Sequence, residues 1–317
     1  MMSKPSALII STKADTATDE VAARLSQRGI PYHRIDTEDY PFAKAITFEP
    51  ATTTLQCDGT RLPVPTSIWY RRERTAPTPD GMDEGIATFC RHETRATILG
   101  SIMGRQTRWM SHPAAVWQAE FKPYQLHLAN KLGLTIPRTL ITNDPSTIRN
   151  AFASFGSMIV KPTRTGYVHT REGEYAVYTS RVLEHHLDEL ESARWSPSIY
   201  QECITKAYDV RVTVVGNQYF AALIDSQSDP AASVDWRQTD NPNLPHERLI
   251  LPNDLAGKLG SLMSALHLTF GAIDLIKTPD GRYIFLEVNP SGQWLWLDDM
   301  LNLGISDAVT DWLATCN

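Results

Sequence analysis

The sequence predicts an α/β protein of two or three tightly associated lobes, and three observations carry that reading. Near the N-terminus, residues 7–10 are an apolar run, residues 15–28 have helical spacing at Val21, Ala22 and Leu25 before a Gly29 stop, and residues 32–35 resume as a strand after Pro31. Strand, helix and strand at that spacing make a β-α-β unit, whose right-handed crossover requires a parallel sheet. Toward the other end, residues 271–276 and 282–288 are strand-like runs around the turn Pro279-Asp280-Gly281, a hairpin and therefore antiparallel. At 317 residues the chain is long for one core and short for two full domains.

Composition narrows the function classes. Apolar residues make up 42% and charged residues 21%, the proportions of an ordinary soluble globular protein. A net charge of -6 and a pI near 5.9 argue against general nucleic-acid binding. Cys57, Cys90, Cys203 and Cys316 are scattered without CxxC spacing, which predicts reduced thiols in a cytoplasmic protein and no zinc site. The opening MMSKPSALIISTKAD has too short an apolar run for a signal peptide, and no span has the length of a membrane crossing.

After the β-α-β unit, the loop Ser11-Thr12-Lys13 lacks a GxGxxG or Walker pattern, so nucleotide binding is not expected there. Residues 45–48 and 53–57 read as strands, Asp58-Gly59 follows as a turn, and residues 67–70 return to the first sheet. The following Tyr70-Arg71-Arg72-Glu73-Arg74 has two readings: a solvated loop with surface ion pairs, or arginines at a strand's carboxyl end that hold an anion. Helical spacing runs over 86–103, and Trp109-Met110 leads into Ser111-His112-Pro113, where His112 is a loop residue rather than a base.

Glu120-Phe121-Lys122-Pro123 links to a helix reaching Lys131, capped by Gly133; Asn143-Asp144-Pro145 opens another helix with a cap residue and a proline in its first turn. Residues 157–160 form a strand ending in Lys161-Pro162. Lys161 reads either as a snorkelling edge residue or, before the loop Thr163-Arg164-Thr165-Gly166-Tyr167, as an ammonium beside phosphates. Strands are expected at 175–179 and 198–204, then a hairpin of 210–215 and 219–224 around Gly216-Asn217. The polar run 225–243, with Asp235-Trp236-Arg237, is a functional loop or a disordered one. Helices are expected at 253–267 and 305–312.

The C-terminal hairpin carries the chemistry. Asp274 lies in its first strand, while Glu287 and Asn289, two apart in the second, share a face. Two carboxylates and an amide oxygen suit a hard cation such as Mg²⁺. The apolar Gln293-Trp294-Leu295-Trp296 that follows reads as core packing or as the wall of a peptide groove.

Asp274 with Glu287-x-Asn289 resembles the Mg²⁺ site of ATP-grasp ligases, and Pro290-Ser291-Gly292-Gln293-Trp294-Leu295-Trp296 more narrowly resembles the microviridin-type, or graspetide, macrocyclases of ribosomal peptides. Lys122-x-x-Gln125-Leu126, Gly133-Leu134-x-Ile136-Pro137 and Ile141-Thr142-Asn143-Asp144-Pro145 are similar to the same family, in the same order. The resemblance covers Lys122 to Trp296 firmly and the first lobe more loosely. It implies an ATP-grasp fold: an N-terminal parallel α/β lobe over 1–120, a small central α+β lobe over 121–204 and a C-terminal antiparallel-sheet lobe over 205–317. It implies ATP and Mg²⁺ as cofactors, with the metal on Asp274, Glu287 and Asn289. Lys122 and Lys161 would contact phosphate or the adenine side, Glu202, Cys203 and Ile204 would flank adenine, and Asp209 would accept from a ribose hydroxyl. Arg211, Arg237 and Lys161 would offset charge on the transferring group. The implied substrate is a ribosomal precursor peptide, leader plus core, whose Asp or Glu side chains become ω-esters of Thr or Ser or ω-amides of Lys. Two rivals stay open: a ligase of amino acids or small metabolites, and a silent ATP-grasp fold that only binds peptide. The oligomeric state is open too, a homodimer included.

Overall fold

The computed structural model describes residues 4–105, 107–164, 166–170 and 173–315; Thr165 and Cys316 lie outside them. The first stretch holds β1 (Ala7–Ser11), α1 (Thr16–Gln27), β2 (Tyr32–Asp36), β3 (Ile46–Glu49), β4 (Thr54–Cys57), β5 (Thr60–Leu62), β6 (Ser67–Tyr70), α2 (Glu84–Met103) and β7 (Arg108–Met110). Its main sheet has the order β2-β1-β6-β7, and every pair is parallel, as the β-α-β spacing requires. β3, β4 and β5 form a separate antiparallel sheet.

Then α3 (Pro113–Ala119) and α4 (Lys122–Lys131) lead into β8 (Thr139–Thr142), α5 (Pro145–Phe155), β9 (Met158–Lys161), β10 (Tyr167–Thr170), β11 (Gly173–Ala176), β12 (Ser180–Val182) and β13 (Ser198–Glu202). Asp144 caps α5 as expected, its carboxylate accepting from the Thr147 N–H at 2.8 Å. The sheet order β12-β9-β13-β8 is antiparallel. β10 and β11 pair as a hairpin of their own, which corrects the strand expected at 175–179. Beyond Ala176 the backbone is engaged elsewhere: Val177 N–H donates to the Gly166 carbonyl and Thr179 N–H to Asp235 Oδ2, so the chain leaves the ladder there.

The last stretch contains β14 (Tyr208–Val215), β15 (Gln218–Ile224), β16 (His246–Leu249), α6 (Asn253–Ala265), β17 (Phe270–Lys277), β18 (Tyr283–Asn289), α7 (Leu295–Leu301) and α8 (Ile305–Ala314). Five strands in the order β16-β15-β14-β17-β18 form an antiparallel sheet. The polar run 225–243 carries short 3-10 turns at Ser226–Ser228 and Trp236–Gln238.

Two cores tie the first sheet to the last. On one face, Leu8, Ile10 and Ile68 join a buried cluster that continues through Leu126 of α4, Leu259 and Leu262 of α6 and Ile273 of β17. On the other, Ile9 and Trp69 pack with Val21 and Leu25 of α1, with Trp294, and with Ile305, Val309 and Leu313 of α8. Arg24 of α1 and Arg28 just after it bond Asp307 at 2.6 and 2.9 Å, fastening α8 beside α1 on this face of the first sheet. Trp294 is fully buried and its indole N–H donates to Ser306 Oγ, so this part of the apolar patch is core, not groove wall. The middle sheet keeps a small core of its own around Ile148, Met158, Leu190 and Tyr200.

Candidate active site

Between the middle sheet and the last sheet lies a cleft. β9 ends in it with Lys161, whose side chain is buried; β9 is an interior strand, so the snorkelling edge reading does not hold. The end of β13 and the residues after it bring Glu202, Cys203 and Ile204 to the rim, β14 brings Asp209, and α4 brings Lys122. The last sheet closes the other side with Asp274 and Glu287, which face each other in register across β17 and β18.

Strict alternation in β18 fails at one point. The ladder pairs Asp274 with Glu287 and Leu275 with Phe285, leaving Leu286 as an extra residue, a β-bulge. The bulge lets adjacent Leu286 and Glu287 both line the cleft, one apolar and one anionic. Leu275, Ile276 and Ile159 add apolar surface. Neither Leu286 nor these walls were expected from sequence, where a bulge leaves no mark in an apolar run.

Electrostatics here is a matter of close opposite charges in little water. Glu287 receives Lys122 Nζ at 3.1 Å. Burial pushes its acid strength down, but Lys122, Lys161 and Arg237 overcome that and hold its pKa well below the ordinary carboxylate value. Asp274 receives Arg211 Nη1 on both oxygens, at 2.6 and 2.7 Å. Burial nevertheless raises its pKa, opposed by Arg211 and reinforced by Glu287. Burial likewise lowers the pKa of Lys161, against the pull of Glu287. Arg237 pairs with the buried Asp235 at 2.6 Å, which raises its own pKa.

Sequence reading missed Lys206. Its buried ammonium donates to both oxygens of Asp209, at 3.1 and 2.8 Å, and to the Val234 carbonyl at 3.0 Å, while Ser226 Oγ donates to Asp209 at 2.5 Å. The spacing Lys206-x-x-Asp209 at a strand entrance was the available signal. Cys203 is half-buried against the cleft, a small lining side chain. Asn289 and Arg211 stand just outside this lining. Asn289 is exposed and accepts the Ser291 N–H, and it borders a polar groove that continues past Lys122 and Glu287. Arg211 reaches the site through Asp274.

A family model for the MvdD pre-ATP grasp domain matches residues 6–117. The structure superposes on the macrocyclase MdnC of Microcystis aeruginosa, solved with its precursor peptide MdnA, at 31% identity over 97% of this chain and 99% of that one, TM-score 0.86. The chain belongs to the graspetide-type ATP-grasp ligases. Another of these ligases, macrocyclase MdnB of the same organism, matches at 31% identity over 98% and 99% of the two chains, TM-score 0.80. A RiPP-associated ATP-grasp ligase of Chryseobacterium gregarium, in complex with ADP and a leader and core peptide, matches at 28% identity over 98% and 96%, TM-score 0.88. No curated protein compared by sequence matches significantly.

For a graspetide-type ligase the residues present fit a magnesium ion. Two carboxylates converge on one cleft, offset by nearby cations, and hard cations take such oxygens while keeping positions for water and phosphate. Among the described residues no three His, Cys, Asp or Glu side chains cluster for a metal, so a third protein donor would have to be an amide such as Asn289. No helix among them is long and apolar enough to cross a membrane.

Proposed function

We propose that this ligase activates Asp or Glu side chains of a ribosomal precursor peptide with ATP and closes them onto Thr, Ser or Lys side chains of the same peptide. The observation that carries this reading is the meeting of Asp274 and Glu287 with Lys122, Lys161 and Arg237 in one cleft, with Arg211 paired to Asp274 just outside it. Relatives solved with ADP, with leader and core peptide, or with a precursor peptide support it.

A substrate carboxylate oxygen attacks the γ-phosphorus of ATP and ADP departs, giving an acyl phosphate. A hydroxyl or amine then attacks the acyl carbon, phosphate leaves with the electron pair, and the nucleophile's proton passes to phosphate or solvent. Such chemistry needs positioned charge more than a protein nucleophile. Lys161 and Lys122 neutralise phosphate oxygens, and Arg211 and Arg237 face the group being transferred. Glu202, Cys203 and Ile204 would border adenine, Leu286 would add apolar surface for it, and Asp209, held by Lys206, would accept from ribose. Magnesium on Asp274 and Glu287, with Asn289 beside them, would shield the phosphate charge.

The test is mass spectrometry of a precursor peptide encoded beside the gene, after incubation with the protein, ATP and Mg²⁺. Loss of one water per ring supports the reading, and base lability separates ester from amide. An unchanged peptide, with ADP released only when free amino acids or small acids are supplied, replaces it with a small-molecule ligase.

A further inference from the structure

The segment Tyr70-Arg71-Arg72 fits neither of its sequence readings. Arg71 is fully buried, with Nε 3.1 Å from Asp15 Oδ2 and its guanidinium carbon 4.6 Å from the centre of the Trp294 ring. Its Nη1, like Asp15 Oδ1, has no hydrogen-bond partner. Burying a guanidinium so incompletely satisfied is costly, and packed apolar side chains would fill the space at less expense. Surface ion pairing does not describe it, and the anion it faces is the chain's own buried Asp15.

What Arg71 does touch is the loop after the metal-ligand strand. Its Nη2 donates to Gln293 Oε1 at 2.8 Å, and Arg72 Nη2 donates to the Ser291 carbonyl at 3.0 Å. The Gln293 carbonyl in turn accepts from Arg211 Nη2 at 3.4 Å, and Arg211 Nη1 bonds Asp274. Between these contacts sits Gly292, where an added Cβ would lie 2.3 Å from the Ala272 Cβ and 3.4 Å from Arg211 Nη2. The loop is therefore trapped between arginines of the first lobe and the arginine of the candidate site.

We propose that Arg71 and Arg72 are positioning residues, which fix the Ser291-Gly292-Gln293 loop and through it set where the Arg211 guanidinium stands. The proposal rests on the reading that Arg211 acts on the group being transferred. The crevice at the carboxyl ends of β1 and β6, where the strand order reverses and α/β sheets often hold a ligand, is here occupied by this clamp.

The test uses Gln293→Met, which keeps side-chain length and the backbone carbonyl but removes the acceptor for Arg71. Turnover is followed by ADP release with ATP, Mg²⁺ and the peptide encoded beside the gene. The expected result is a loss of kcat of about 10²-fold, the scale of an ångström-sized misplacement, with KM for ATP little changed and most of kcat regained in Gln293→Glu. In a double-mutant cycle with Arg211→Lys the two effects should fall well short of additive. Full additivity, or a loss confined to KM for ATP, overturns the proposal. Hydrogen exchange over residues 289–294 decides independently of turnover, even if the peptide is not a substrate. Faster exchange confined to that loop in Gln293→Met supports the clamp, and unchanged exchange refutes it.

Discussion

Gln125 of α4 and Val288 of β18 exchange a pair of hydrogen bonds across 163 residues: Gln125 Nε2 donates to the Val288 carbonyl and the Val288 N–H donates to Gln125 Oε1, each at 2.7 Å. β18 is the edge of its sheet, and the buried amide supplies the partner that a further strand would give. The site carboxylate Glu287 is thus held from one side by Asp274's strand and from the other by a side chain of the helix that carries Lys122.

Gln125→Leu keeps the volume and removes both bonds, leaving a buried N–H and C=O unsatisfied. Stability should fall by about 3 kcal/mol, read as a lower urea midpoint at unchanged slope. A loss under a third of that would mean another group or water takes over the edge.

Glu287→Gln should lower ADP release by about 10² to 10³ and abolish magnesium-dependent stabilisation by ATP. In the parent protein that stabilisation approaches about 2.7 kcal/mol at a hundred times Kd. Thermal melts with and without chelator read it. Asp274→Ala should also cost stability, about 3 kcal/mol, because the buried Arg211 loses its counter-charge.

Asp15 is buried against Arg71, and although burial opposes ionisation, Arg71, Arg72 and Ser11 hold its pKa below the ordinary 3.8. The folded state therefore binds a proton less readily than the unfolded chain. The resulting stability is fully present above pH 3.8 and is lost as pH falls through the lower folded value. Asp15→Asn should unfold more easily at pH 7 and show a shallower loss of stability below pH 3.8 than the parent, measured by urea titration across the acid range.

Gly292→Ala should fail to accommodate its methyl group without moving β17 or the loop, since Ala272 lies within 2.3 Å of the added carbon. Turnover should fall by about 10²-fold with the far-ultraviolet spectrum unchanged; an active variant would show that the loop has room.

Much of this was legible in the sequence because local chemistry repeats it: the β-α-β spacing, the Asp144 cap, the hairpin turn at Pro279-Asp280-Gly281 and the carboxylates of its strands. Long-range geometry was not. Nothing near Arg71 announces Gln293, 222 residues away, and no periodicity reveals the extra residue at Leu286 or the edge filled by Gln125. Lys161 was ambiguous because an edge strand and an interior strand of four residues read alike; only the pairing on both sides of β9 decides.

The packing of α8 on the first sheet has a consequence for biosynthesis. Ile9, Trp69 and Leu25 are made long before Ile305, Val309 and Leu313, which cover the apolar face they form, and Arg24 waits 283 residues for Asp307. As the chain leaves the ribosome, the first sheet carries an open hydrophobic flank until the residues of α8 have followed it. Catalytic competence and the shielding of that flank arrive together, within the same few dozen codons.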